Sequence, residues 1–275
     1  HPVAPMPQSA AIICTRNRPH SLARTLSSLE QQARETSCLI LIVDGSDPQI
    51  ARKNKLLLSQ SSSSRSIHLP YSDTPSSARQ RNHGIDHLPS DVEVVFFLDD
   101  DVTLKSEYFR KIINLFDQNP DLAGVGGYDL AHTAQPTSSA RQLFRYLFLL
   151  DHPQPGRVLP SGEASPPHRT QANHPISVEW LAGFSMAFRR SLLDQYRFDE
   201  DLDGYAHYED RDLTFRIAEH GRLVTHPGAQ LIHHRSPKNR HDARQYNYSM
   251  TTHLYWFVEK NIDHPLRKPA FWWAI

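Results

Sequence analysis

The chain of 275 residues has no surplus of either charge, very little cysteine and no long apolar run. Lysine plus arginine equals aspartate plus glutamate at 30 each. No global basic field therefore argues for a nucleic acid partner. The two cysteines, Cys14 in an apolar stretch and Cys38 just before another, have no metal or redox spacing. This argues against a disulfide framework and fits a reducing compartment, the cytoplasm, where buried thiols are core residues. No apolar run approaches the roughly 18 to 20 residues of a membrane span. There are 17 histidines but no H-E-x-x-H and no paired C-x-x-C, so zinc chemistry has no motif to rest on. No internal repeat is visible. His1 to Gln8 is a proline-rich lead without the basic and apolar regions of a signal peptide, and residues 1–9 are expected to be a disordered lead or an artificial chain end.

What is present centres on Val92 to Val102, V-E-V-V-F-F-L-D-D-D-V. Its nearly unbroken apolar run is the pattern of a strand buried on both faces. Three aspartates, Asp99, Asp100 and Asp101, follow where the strand should end. Ligands of open α/β sheets bind beyond the carboxyl ends of the strands, which puts these acids on the floor of a site. Three adjacent carboxylates raise each other's proton affinity unless a cation or a row of donors offsets the charge. A divalent metal is one answer; a turn in which aspartates hydrogen-bond the backbone and cap the next helix is the other.

The surrounding chain alternates strands and helices. Ala10 to Cys14 reads as a strand and Thr15-Arg16-Asn17-Arg18-Pro19 as a turn. Leu22, Leu26 and Leu29 then recur with helical spacing. Leu39 to Val43 is a second buried strand leading into Asp44-Gly45-Ser46, and this is the βαβ beat of a parallel sheet. Gln49 to Leu58 reads as a helix, Ser59 to Ser66 as a flexible serine loop and Ile67 to Leu69 as a short strand. Serine caps at Ser76 and Ser77 open a helix carrying Arg79, Arg81 and Asn82. Phe109, Ile112, Ile113 and Phe116 mark another helix, and Ala123 to Gly127 a small strand.

From His132 to Ser177 prolines and histidines dominate, interrupted by an apolar helix over Arg141 to Leu150; this reads as an insertion or lid with mobile ends. Order resumes at Val178. A helix follows Glu209-Asp210, marked by Leu213 and Ile217. Two strands are expected at Arg222 to Thr225 and Gln230 to His233, and then a long helix with Tyr246, Met250, Leu254 and Val258 on one face. Arg189-Arg190 reads equally as a phosphate grip or a solvated strand end. The expected divisions are a catalytic unit over 10–235, comprising a nucleotide-binding half (10–130), the insertion (131–177) and an acceptor and catalytic half (178–235). A helix and tail over 236–275 follow. In the tail, Arg267 and Lys268 precede Phe271, Trp272 and Trp273, the make-up either of a membrane-interface anchor or of an aromatic tail packed on the protein's own surface.

Taken in order, Thr15-Arg16-Asn17-Arg18, Val43-Asp44-Gly45-Ser46, Ala78 to Ile85, Leu98 to Val102, Trp180 to Arg190 and Glu209-Asp210 to Arg216 resemble family 2 glycosyltransferases of the GT-A fold. The resemblance implies an α/β, Rossmann-like, mostly parallel sheet flanked by helices, with a lid-like insertion and a C-terminal helix. It implies a hexosyl transferase that takes a nucleoside diphosphate sugar as donor and inverts the anomeric centre. In that reading Asp44 and the Thr15 to Arg18 turn hold the base, and Arg79 or Arg81 and Asn82 contact the nucleotide. Asp99 reaches the ribose or sugar. Asp101, with Asp99 and either His233 or His234, binds Mn²⁺ or Mg²⁺. Asp210, with Glu209 beside it, supplies the general base, and Trp180 and Gly183 face the acceptor. The implied acceptor is a glycan or lipid-linked hydroxyl in cell-surface polysaccharide synthesis, with peripheral contact at the inner face of a membrane through the tail.

Elementary chemistry is consistent with that reading. A divalent ion neutralises charge growing on a leaving diphosphate, aspartate oxygens suit hard ions, and an added imidazole favours Mn²⁺. A carboxylate on the far side can take the proton from an attacking hydroxyl. Two departures stand out: one acid of the family's usual double aspartate is missing at Val43-Asp44, and the Q-x-x-R-W run of processive members is absent, which points to addition of a single sugar or a few. The rival readings are a sugar-phosphate nucleotidylyltransferase, whose glycine-rich N-terminal loop has no counterpart in Ala10 to Pro19, and a non-catalytic nucleotide-binding homologue.

Overall fold

The computed structural model describes residues 8–60, 65–73, 76–131, 139–167, 173–202, 206–235 and 243–275. The first strand, β1 (Ser9–Thr15), is buried almost throughout. Helix α1 (Pro19–Glu35) opens on a proline, which has no N–H to leave unsatisfied in the first turn. Then follow β2 (Leu39–Asp44), α2 (Pro48–Gln60), β3 (Ser66–Pro70), α3 (Ser77–Asp86) and β4 (Val94–Asp99). A short β5 (Val102–Leu104), α4 (Tyr108–Gln118) and β6 (Leu122–Asp129) complete the first half. The second half carries α5 (Ser139–Leu147), β7 (Ile176–Val178), β8 (Ser185–Arg189), α6 (Arg190–Leu193), α7 (Glu209–Ile217) and β9 (Arg222–His233). It ends with α8 (Ala243–Asn261) and α9 (Arg267–Ala274).

The nine strands of the described residues form one sheet in the order β3-β2-β1-β4-β8-β6-β9-β5, with β7 also paired to β9. The pairings set β1, β2, β3, β4, β6 and β9 in one direction and β5, β7 and β8 in the other. The sheet is thus mostly parallel, as the βαβ beat implies. The antiparallel β8 wedged between β4 and β6 matters most for function. Because Leu98 pairs with Ser185, the residues entering β8 lie beside the exit of β4. Thr15, Asp44, Asp99, Asp129, His233 and Gly183 therefore meet at one edge of the sheet.

Side chains of the central strands alternate between two cores. Ile13, Ile42, Phe96 and Leu98 pack with Leu22, Leu26 and Leu29 of α1 and with Phe109, Ile112 and Phe116 of α4. On the other face Ile12, Val43 and Phe97 pack with Ile85 of α3 and with Leu213 and Ile217 of α7. Each fully buried Phe or Ile contributes on the order of 2 kcal/mol, so the doubly covered strands are the most firmly held part of the chain. A third cluster joins Leu254, Phe257 and Val258 of α8 to Phe271 of α9.

Several sequence expectations shift. The two strands predicted after α7 are one strand, β9, whose partner register slips between Gly126 and Tyr128; Pro227, which cannot donate a ladder hydrogen bond, accounts for the apparent break. Ser59 and Ser66 belong to α2 and β3, and 61–64 of the expected serine loop lie outside the described residues. So do 1–7 of the lead, whose last residue, Ser9, is already strand, and both flanks of the insertion, 132–138 and 168–172. Ser76 sits at the start of α3, but its hydroxyl donates to the Leu202 carbonyl and not to the helix end. Half-buried Arg189 donates to the carbonyls of Phe116, Asn119 and Leu122 at the opposite edge of the sheet, and Arg190 pairs with Asp194. Among the described residues no helix is long and apolar enough to cross a membrane.

Candidate active site

The aspartate turn links β4 to β5 and is fastened from α1. The Thr25 hydroxyl lies 2.9 Å from the Asp100 carbonyl and 2.8 Å from that of Val102, and accepts the Val102 N–H. Asp100 faces inward, 1% exposed. Its carboxylate accepts the Thr15 hydroxyl at 2.6 Å and lies 3.2 Å from Arg18 Nη1. Burial pushes its pKa up to about 7, against the pull of Arg18 and Thr15 and with a further push from Asp101 and Asp99. Asp100 thus ties the turn to the β1 loop, while buried Asp101 and the more exposed Asp99 turn toward His233.

Asp99, Asp101 and His233 offer ligand atoms that all lie within 4.8 Å of one another. His233 Nε2 is 3.2 Å from Asp101 Oδ1 and 3.7 Å from Asp99 Oδ2, and its ring stacks on Phe184 with 4.8 Å between centres. Burial would lower the His233 pKa, but its hydrogen bond to the Asp101 carboxylate and the charge of Asp99 outweigh it and hold the imidazole above its usual value. To ligate a cation the imidazole would have to be neutral, its proton lost to solvent, with the ion's charge in the proton's place between the carboxylates. Two carboxylates and an imidazole make a donor set that fits Mn²⁺ or Mg²⁺. His234 lies outside this group: its Nε2 is paired with the Thr103 hydroxyl at 2.8 Å.

Across from this group, Arg81 of α3 joins three elements. Its Nη1 donates to Glu209 Oε1 at 2.5 Å, and its Nη2 lies 3.3 Å from Asp99 Oδ1 and 3.0 Å from the Gly183 carbonyl. Ser77, one helical turn earlier, also donates to Glu209 Oε1. Burial raises the Glu209 pKa, Arg81 opposes the rise, and Asp210 adds to it. The two acids opening α7 are therefore treated differently. Glu209 is spoken for by Arg81, whereas half-buried Asp210 accepts the Gly183 N–H at 2.7 Å on one oxygen and the Arg211 N–H on the other.

Of the α3 residues named from the sequence, only Arg81 reaches this centre. Arg79 donates to the Glu200 carbonyl, and Asn82 exchanges hydrogen bonds with the Phe198 backbone and donates to Glu200 Oε1. Asp44, 1% exposed, is at the edge but saturated: Ser46 N–H donates to one oxygen, and Asn54 Nδ2 and His68 Nε2 lie 2.9 Å from the other. Asn17, with φ of 55°, bonds Ser46 and Asp47 and so ties the β1 loop to the β2 loop, while Arg16 is exposed. Trp180 Nε1 donates to the Ser165 carbonyl, and its ring covers Arg211 at 5.0 Å. Arg211 also lies against Tyr208 and donates to the Gly162 carbonyl, bolting the insertion to α7. Arg211, Ser77, His68 and Asn54 were not foreseen; for His68 a parallel β3 beside β2 was the available signal.

A doubly wound, mostly parallel sheet with one antiparallel strand at its centre and an Asp-Asp-His group at the β4 exit defines a GT-A fold. Residues 10–197 match the family described as Glycosyl transferase family 2, and the chain belongs to that family. It is a glycosyltransferase, which sets the nucleotidylyltransferase reading aside. No curated protein sequence matches it. Among solved structures it is similar to the mannosyltransferase PcManGT from Pyrobaculum calidifontis in complex with GDP-Man and Mn²⁺. The TM-score is 0.63 at 16% identity, over 99% of this chain and 72% of that one. It is similar also to S. aureus TarS 1-349, with a TM-score of 0.57 at 13% identity over 97% of this chain and 70% of that one. GalNAc-T7 with UDP, GalNAc and Mn²⁺ gives a TM-score of 0.61 at 13% identity, over 84% of this chain and 44% of that one.

Proposed function

We propose that the protein transfers one sugar from a nucleoside diphosphate sugar to a hydroxyl of a glycan or lipid-linked acceptor, with inversion, and that Asp210 is the base. The observation that carries this reading is the division of labour across Arg81. On one side Asp99, Asp101 and His233 converge; on the other Glu209 takes the arginine's charge and leaves Asp210 aimed by two backbone N–H groups. A carboxylate held by two backbone donors is fixed in direction, which is what proton removal from an attacking hydroxyl needs. The donor's base would lie along the β1 and β2 exits, where Thr15, Asn17 and Asp44 meet, and Arg81, held beside Asp99, would lend its charge to the phosphates from where it stands.

Asp99, Asp101 and His233 would hold Mn²⁺ or Mg²⁺, which when bound supplies positive charge against the leaving diphosphate. The complexes of PcManGT with GDP-Man and Mn²⁺ and of GalNAc-T7 with UDP, GalNAc and Mn²⁺ support the same use of the fold. The absence of a Q-x-x-R-W run supports single addition. A polysaccharide pathway at the inner face of a membrane, with the chain in the cytoplasm, is the setting in which such an acceptor would be met. Thermal-shift measurements with UDP, dTDP and GDP, with and without Mn²⁺, should show a metal-dependent rise with one of them. Asp210→Asn should keep that rise and lose transfer by at least roughly 10²-fold, the usual scale of general-base catalysis. Unchanged turnover in that variant would overturn the base assignment.

A further inference from the structure

Helix α5, inside the insertion, is amphipathic in the wrong sense for a helix that packs on its own protein. Helical spacing places Ala140, Leu143, Phe144 and Leu147 on one arc, and all four are exposed, with Leu143 59%, Phe144 52% and Leu147 69% accessible. The polar arc faces inward. Half-buried Gln142 donates to the Tyr146 hydroxyl, and Arg145 donates to the Leu150 carbonyl and pairs with Asp151.

Helix α9 comes from the other end of the chain and joins the same surface. Phe144 stacks on Phe148 at 4.3 Å, and Phe148 meets the Trp273 ring edge-on at 5.6 Å. The two readings of the aromatic tail divide within this one helix. Phe271 is buried against Tyr255, whereas Trp272 is 67% and Trp273 46% exposed. Two helices more than a hundred residues apart thus present one continuous apolar and aromatic face. Exposed Arg141 and Lys268 border it.

We infer that this joint face of α5 and α9 is a docking surface for an anionic lipid bilayer, entered to headgroup depth and not spanned. Tryptophan beside lysine, leucine and phenylalanine on the outer arc, and arginine at its margin are what the interfacial region selects: rings at the headgroup boundary, apolar chains below it and cations toward anionic headgroups. A second copy of the chain would call for a self-complementary patch, and a cationic border repels its own copy. The inference rests on this surface alone and holds whatever donor the active site takes.

The test is flotation of the full chain with vesicles of phosphatidylcholine, with and without phosphatidylglycerol. The full chain should float with the anionic vesicles, less so at high salt, and weakly with phosphatidylcholine alone. Leu143→Ser/Leu147→Ser and, separately, Trp272→Ser should each lower the partition coefficient by roughly tenfold or more. Because these side chains are exposed, their thermal midpoints should match the parent, and Arg141→Glu/Lys268→Glu gives an independent arm that alters no apolar contact. Metal-dependent nucleotide binding should be unchanged in all of them, so that failure here is distinct from failure of the catalytic reading. Absence of flotation, or equal flotation of parent and variants, overturns the inference. So does a concentration-dependent dimer that the α5 variants dissociate without any vesicle binding.

Discussion

Replacing Arg81 with Met tests whether the Arg81–Glu209 pair organises the site. The Arg81 side chain is 7% exposed and that of Glu209 11%, so neither charge can turn to water without opening the α3–α7 contact. Breaking a buried pair by removing one partner costs about 3–5 kcal/mol, because an uncompensated charge remains. Glu209 has an escape by taking up a proton, and its folded-state pKa, already raised by burial, must rise further once Arg81 no longer opposes it.

A carboxyl whose folded pKa lies above its ordinary 4.5 binds more protons folded than unfolded, so its contribution is lost as pH rises from that value through the folded pKa. Arg81→Met should therefore be most costly at alkaline pH and mildest near about pH 5. Adding Glu209→Gln should recover at least about half of the loss, since removing both charges removes the orphan. Denaturant unfolding of parent, two singles and the double at two pH values reads all of this. A loss below about 1 kcal/mol in Arg81→Met, or a double variant as unstable as the sum of the singles, would refute the reasoning.

Two other perturbations probe the same edge. A Cβ at Gly183 would lie 3.1 Å from Asp210 Oδ2 and 3.3 Å from Arg81 Nη2, so Gly183→Ala should shift both by a few tenths of an ångström. Turnover should fall roughly tenfold while stability changes by less than about 1 kcal/mol; unchanged kcat in steady-state kinetics would refute the positional role of Gly183. In Asp44, burial alone would raise the pKa, but hydrogen bonds from His68, Ser46 and Asn54 prevail and hold it below 3.8, so its contribution is complete above that value and lost as pH falls through the folded one. Asp44→Asn should thus cost about 1–3 kcal/mol at neutral pH, with the gap to the parent closing in acid unfolding below the ordinary carboxyl range.

The parallel half of the sheet was legible because its strands are buried on both faces. V-V-F-F-L divides its residues between two cores, and nothing but a central strand tolerates that. The antiparallel β8 was not legible. Its pairing with β4 joins Leu98 to Ser185 across a long insertion, and no local pattern distinguishes an antiparallel from a parallel neighbour when both faces are covered. β5 and β7 were missed for a simpler reason: three residues each is too short for periodicity to register.

Within the site, residue types were legible and their partners were not. Arg79 and Arg81 read alike in the sequence, but two positions along a helix face different ways, and only Arg81 lies toward β4 and α7. His233 and His234 read alike too, yet Leu231 is fully buried and a period of two places His233, not His234, on the same side as that core residue. That period was already available within the expected strand Gln230 to His233, which holds both Leu231 and His233 and ends before His234. The aspartate run shows the general form of the limit. Three identical residues in a row received three different environments: Asp100 turned inward to Thr15 and Arg18, Asp101 buried between Arg18 and His233, and Asp99 partly exposed beside Arg81. What assigned them was the Thr25 hydroxyl fastening the turn from 75 residues away. A carboxylate's chemistry in such a site is set less by its own strand than by which neighbouring element supplies the first donor, and that is decided by the topology of the whole sheet.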